Sequence, residues 1–118
     1  MEFKEIYGKQ LEFENLITSK IFKKKLNEFS EKEKTDWSKE LCLYLYQEVA
    51  EYVNAVGNYK THKTKKDFSN PENVKGEIAD IFIFAIDLAL TMGISYDELV
   101  DIIMKKQEMN FDRQRNNY

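Results

Sequence analysis

Four carboxylates carry the strongest chemical signal in this sequence. Glu48 and Glu51 form one pair, Glu77 and Asp80 a second, and in each the two acids stand three residues apart. On a helix that spacing puts both on one face, about one turn apart. Both pairs lie in apolar surroundings, beside Val49 and Val53 in the first case and Ile78, Ile81 and Phe82 in the second. A carboxylate is costly to bury there unless it is paired or bound to a metal. Two helices that each turn an acidic pair toward the other can surround a hard cation with oxygen ligands. Mg²⁺ takes carboxylates, waters and substrate phosphates in an octahedral arrangement, with Mn²⁺ as a substitute. Four carboxylates bring a charge of about −4, so two ions, or one ion and a lysine, suit the set.

The bland alternative is that both pairs lie on solvated helix faces. With 21 acidic residues, one Glu-x-x-Glu arises easily by chance, whereas two such pairs on the two most apolar helices do not. Neither pair contains a histidine, and the single one, His62, falls in a polar stretch between them. That argues against the Glu-x-x-His di-iron arrangement and favours a non-redox cation. Asp87, seven residues beyond Asp80 on the same stripe, either extends the site or is an ordinary polar residue of the bundle.

The elements that must hold these residues read as helices. Apolar residues recur in steps of three to five from Ile6 to Leu26, which predicts a first helix over about Phe3–Phe29. The polar run at 30–35 reads as a loop, with Asp36 as the N-cap of a second helix ending near Gly57. The segment 58–70 reads as a lysine-rich loop. Asn70-Pro71 then marks a helix start, with Asn as N-cap and Pro in the first turn. The third helix, to about Thr91, is apolar nearly all round in its second half and should be the central one. Gly93 ends it, and Ser95 to Glu98 has the form of a capping box that opens a fourth. The expected fold is all-α, a bundle of four to five helices with the active site between the two acidic ones, in a single domain over residues 1–118.

Composition narrows the function classes. The 118 residues hold four glycines and one proline, too few for many short strands and turns. A net charge of −3 gives no global signal for nucleic acid. Cys42 is the only cysteine, which excludes an intrachain disulfide and fits a reducing cytoplasm. The longest apolar run, from Ile81 to Ile86, is too short to span a bilayer, and no signal sequence is visible, so neither a membrane nor a nucleic-acid partner is expected.

The pattern Glu48-x-x-Glu51, about 25 residues, then Glu77-x-x-Asp80 resembles the all-α nucleoside triphosphate pyrophosphohydrolases: MazG-type enzymes, dCTP pyrophosphatases and dimeric dUTPases. The segments Gln10–Phe13, Tyr59–Lys63 and Asn70–Phe84, with Trp37 ahead of the acidic helix, resemble the dimeric dUTPase branch in particular. The overall length is closer to the compact MazG-type enzymes. Lys105, Lys106, Gln107, Asn110 and Arg113 resemble the cluster that those enzymes place near phosphates.

The resemblance implies a MazG-like bundle and Mg²⁺-dependent hydrolysis of a (deoxy)nucleoside triphosphate, dUTP or dCTP, to the monophosphate and pyrophosphate. A broad or modified-base substrate range, or a non-catalytic helical interaction module, is the alternative. Glu48, Glu51, Glu77 and Asp80 become metal ligands, with Glu48 or Glu51 as general base. Lys60, Lys106, Asn110 and Arg113 become phosphate contacts, and Gln10, Trp37, Asn54 and Tyr59 contacts to base or sugar. A short chain with so apolar a third helix is expected to assemble as a homodimer or homotetramer.

Overall fold

The computed structural model describes residues 2–57 and 71–116. Four α-helices, α1 (Phe3–Phe22), α2 (Glu31–Val56), α3 (Pro71–Thr91) and α4 (Tyr96–Arg115), account for nearly all of them, with a 3₁₀ turn at Leu26–Glu28 and no strand among the described residues. The all-α expectation holds.

Two boundaries differ from the expected ones. The first helix stops at Phe22 because Lys23 turns left-handed, at φ 61°, and the Asn15 side chain accepts a hydrogen bond from the Leu26 amide at 2.9 Å. The second begins at Glu31 rather than Asp36. Ser30 accepts from the Glu33 amide at 3.1 Å while the Glu33 carboxylate takes the Ser30 amide at 2.8 Å. That reciprocal capping outcompetes the later start, and the Lys24–Glu33 ion pair at 3.0 Å ties the turn to it. The third helix spans the expected residues; its proposed N-cap, Asn70, lies outside the described residues. Gly93, at φ 75°, ends that helix as expected, with the Ile94 amide reaching back to the Ala89 carbonyl. Ser95 then caps α4 by accepting from the Glu98 amide.

Helix α3 packs along α2 over most of its length and against α1 at its C-terminal half. The core gathers there: Tyr7 from α1, Leu26 and Phe29 from the connection, Trp37 and Leu41 from α2, and Ile86, Ala89 and Leu90 from α3. Leu41 is the most deeply placed of these at 2% exposure. The middle of α3 is less covered than the apolar pattern suggests, since Phe82 is 65% exposed. Helix α4 leaves α3 at a bend of 114°. Only its first turns, through Tyr96 and Leu99, meet the core, and every residue from Asp101 to Asn116 is exposed.

Candidate metal centre and adjoining cavity

Helices α2 and α3 run antiparallel. Glu51 and Glu48 face Glu77 and Asp80 at one end. Tyr44 meets Phe84 next, with ring centroids 6.0 Å apart. Trp37 and Thr91 meet at the far end, where both bind one oxygen of Glu14. The pairing follows from the sequence: each step of three or four along α2 is matched by a step of three or four along α3, so the facing stripes stay in register.

At the acidic end, Glu48, Glu51 and Glu77 each offer a carboxylate oxygen, and the three oxygens lie within 4.8 Å of one another. Asp80 adds its charge to the same cluster, acting on both Glu48 and Glu77. Glu48 Oε2 and Glu77 Oε2 are buried and have no donor against them. Desolvation first, then the Glu51 charge, pushes Glu48 up to about 7. Burial and Glu51 raise Glu77 as well. Crowded carboxylates with orphaned oxygens are what a hard divalent cation relieves, and an all-oxygen donor set suits Mg²⁺. The expected metal residues are therefore brought together, with Asp80 beside the three that converge.

About one to two helical turns along the groove, roughly 6–10 Å at the axial rise of a helix, lies a cavity of about 340 Å³. Trp37, Leu41 and Tyr44 line it from α2, Phe84 and Asp87 from α3, and Phe13, Glu14 and Ile17 from α1. Trp37 is one of its buried walls. It is 5% exposed, its indole N–H donates to Glu14 Oε2 at 3.0 Å, and its ring meets Phe22 and Tyr44 edge-on. Gln10 is turned to α3, donating to Asp87 Oδ1 at 2.8 Å. Asp87 is thus engaged with α1 rather than with the acidic cluster.

The family of the chain follows from a comparison that covers most of this architecture. A family model described as dUTPase matches residues 2–98, more than four-fifths of the chain. The chain belongs to the dUTPase family. No curated protein and no solved structure matches it. The matched span holds both acidic pairs, the cavity and Gln10, and it stops short of Lys106, Asn110 and Arg113. Those three stand on the exposed part of α4, at steps of four and three. Asn54 is exposed on α2, three residues beyond Glu51. Lys60 and Tyr59 lie outside the described residues.

Sequence reasoning missed Glu14, Tyr44, Phe84 and Thr91. One signal was available for the first. Glu14 follows Tyr7 by seven residues and precedes Thr18 by four, so it sits on the buried stripe of α1, where an acid is out of place.

Proposed function

We propose that this dUTPase-family chain hydrolyses a pyrimidine deoxynucleoside triphosphate, dUTP ahead of dCTP, to the monophosphate and pyrophosphate in the presence of Mg²⁺. One observation carries the reading: converging carboxylates with two orphaned oxygens occupy one end of a groove whose other end is an aromatic-walled cavity. The roughly 6–10 Å between them suits a nucleotide, with the base in the cavity and the polyphosphate at the cluster. Tyr44, Phe84 and Phe13 offer ring faces and edges to a base.

Glu48, Glu51, Glu77 and Asp80 would hold the metal. When bound there, Mg²⁺ supplies charge neutralisation for the phosphates and lowers the pKa of coordinated water. The reaction adds water to phosphorus at the α–β anhydride and breaks that P–O bond, and the proton lost by the water goes to a carboxylate. Glu48 or Glu51 takes that proton. Lys60, Lys106, Asn110 and Arg113 are proposed phosphate contacts, and Asn54 and Tyr59 contacts to sugar or base. ³¹P NMR of each deoxynucleoside triphosphate with the protein and Mg²⁺ tests the reading. Pyrophosphate and monophosphate from dUTP support it, whereas diphosphate and orthophosphate, or no turnover of any nucleotide, would refute it.

The working form is proposed to be a homodimer or a dimer of dimers. Phe13, Leu16 and Ile21 on α1, Phe82 on α3, and Met104 and Phe111 on α4 are all more than half exposed. The radius of gyration is 17.8 Å, against about 13–14 Å for a compact chain of this length. Apolar helix faces left this open call for a partner surface, and a second copy supplies one of matching character. Light scattering that returned a monomer at micromolar concentration would contradict this.

A further inference from the structure

Glu14 and Asp87 are two acids in the core, 2% and 6% exposed. Glu14 Oε2 accepts two hydrogen bonds, from the Trp37 indole at 3.0 Å and the Thr91 hydroxyl at 2.6 Å. Glu14 Oε1 is buried with no conventional donor against it, and the carboxyl of Asp87 is the group it can bond. Asp87 Oδ1 accepts from the Gln10 amide at 2.8 Å. Two ionised carboxylates side by side in such a place repel with little screening.

The neighbours leave one arrangement. Helix α2 faces the pair with the Trp37 N–H, a donor only, and with Tyr44, whose hydroxyl donates to Glu40. Helix α1 adds Tyr7, which feels the charge of Glu14 and, from α4, that of Glu98. The ionic charge acting on Glu14 is that of Asp87. Oε2 of Glu14, already taking two donors, is its acceptor oxygen, so a proton on Glu14 belongs on Oε1, toward Asp87. Asp87, taking the Gln10 N–H, is the acceptor of that proton as well.

We infer that Glu14 and Asp87 hold one proton between them, carried on Glu14 Oε1, and that this proton orients Gln10 and joins α1 to the α2–α3 groove. Donors then run one way: Trp37 and Thr91 into Glu14, Glu14 and Gln10 into Asp87. The Gln10 amide is fixed with its nitrogen toward Asp87 and its carbonyl oxygen away from it. Glu14 is a positioning residue that acts through Asp87. Burial raises both acids, Glu14 to about 7 and Asp87 to about 6, so the pair keeps a proton at a pH where free carboxylates have lost theirs. The native form binds this proton more tightly than the unfolded chain does. Its stabilisation is complete below the ordinary value of 4.5 and is lost as the pH rises through about 7.

The inference stands on hydrogen bonds rather than on the proposed reaction, and its test needs no turnover. Glu14→Gln mimics the protonated acid: its carbonyl oxygen can take Trp37 and Thr91, and its NH₂ can donate to Asp87. Carboxyl ¹³C NMR of the full chain in Mg²⁺ buffer, titrated from pH 4 to pH 9, is read beside melting curves of the wild type, Glu14→Gln and Glu14→Ala. A glutamate carboxyl distinct from that of Glu48 is expected to titrate near neutrality and to be missing from Glu14→Gln. Glu14→Gln should also melt above the wild type at pH 8, by on the order of 10 °C, with a flatter pH profile, and Glu14→Ala should melt below both at pH 6. Titration of Glu14 below pH 5, or a Glu14→Gln variant that melts as low as Glu14→Ala at pH 6, would overturn the inference.

Discussion

Adding Mg²⁺ should stabilise the folded chain, and the acidic cluster sets both the size of the effect and its pH dependence. Glu48, Glu51 and Glu77 place oxygens within 4.8 Å of one another, and Glu48 is held up to about 7 against an ordinary 4.5. Without metal, the native cluster binds a proton that the unfolded chain releases. Stability therefore falls as the pH rises from about 4.5 through about 7. A divalent cation replaces that proton and reverses the loss. At 100 times its dissociation constant, a ligand that binds only the native state adds about 2.7 kcal/mol. A chain of this length loses about 4 °C of melting temperature per kcal/mol, so the expected rise is about 11 °C at pH 8. At pH 5.5 the rise should be much smaller, because protons compete for the same oxygens. Differential scanning fluorimetry with MgCl₂ and with EDTA reads all of this, with Glu48→Gln and Glu51→Gln alongside. Equal melting temperatures in Mg²⁺ and EDTA at pH 8, or the same Mg²⁺ shift in both variants as in the parent, would refute the reasoning.

Three further outcomes follow from the packing. Tyr44→Ala, which removes one aromatic wall of the cavity, should raise KM for the nucleotide by about 10- to 100-fold, the equivalent of about 1–3 kcal/mol of stacking, as steady-state kinetics would show. Leu41→Ala, at the 2%-exposed centre of the core, should cost about 2–5 kcal/mol in urea unfolding. Ser30→Ala, which removes the acceptor for the Glu33 amide, should cost about 1 kcal/mol and leave turnover of nucleotide unchanged.

Much of the fold was legible because helical periodicity, two glycine stops and a capping box are local signals. The four helices and the facing acidic pairs follow from spacing alone. The misread boundary between α1 and α2 was a local signal too, a Ser-x-x-Glu capping box outweighed by the polarity of its run. The run at 30–35 looked like a loop because it is polar, yet Ser30 and Glu33 cap each other and the helix continues through solvated residues. The cavity was harder still. It depends on Trp37, Tyr44 and Phe84 meeting across helices, and on Glu14 being drawn into the core by partners 23 and 77 residues away. Asp87 was visible as an acid on an apolar stripe, but its partners on α1 were not. The exposed apolar faces of α1 and α4 are a third case, because helical periodicity does not mark which apolar residues the fold leaves uncovered.

The central claim is that the carboxylates of α2 and α3 form the centre at which the nucleotide is cleaved. Pyrophosphate release from dUTP with Mg²⁺, measured for the parent, Glu48→Ala and Asp80→Ala with circular dichroism on each, tests it directly. Release by the parent and a loss of about 100-fold or more in both helical variants is the predicted result. No release by the parent, or full activity in both variants, would contradict it and favour a helical interaction module whose acidic pairs serve another purpose.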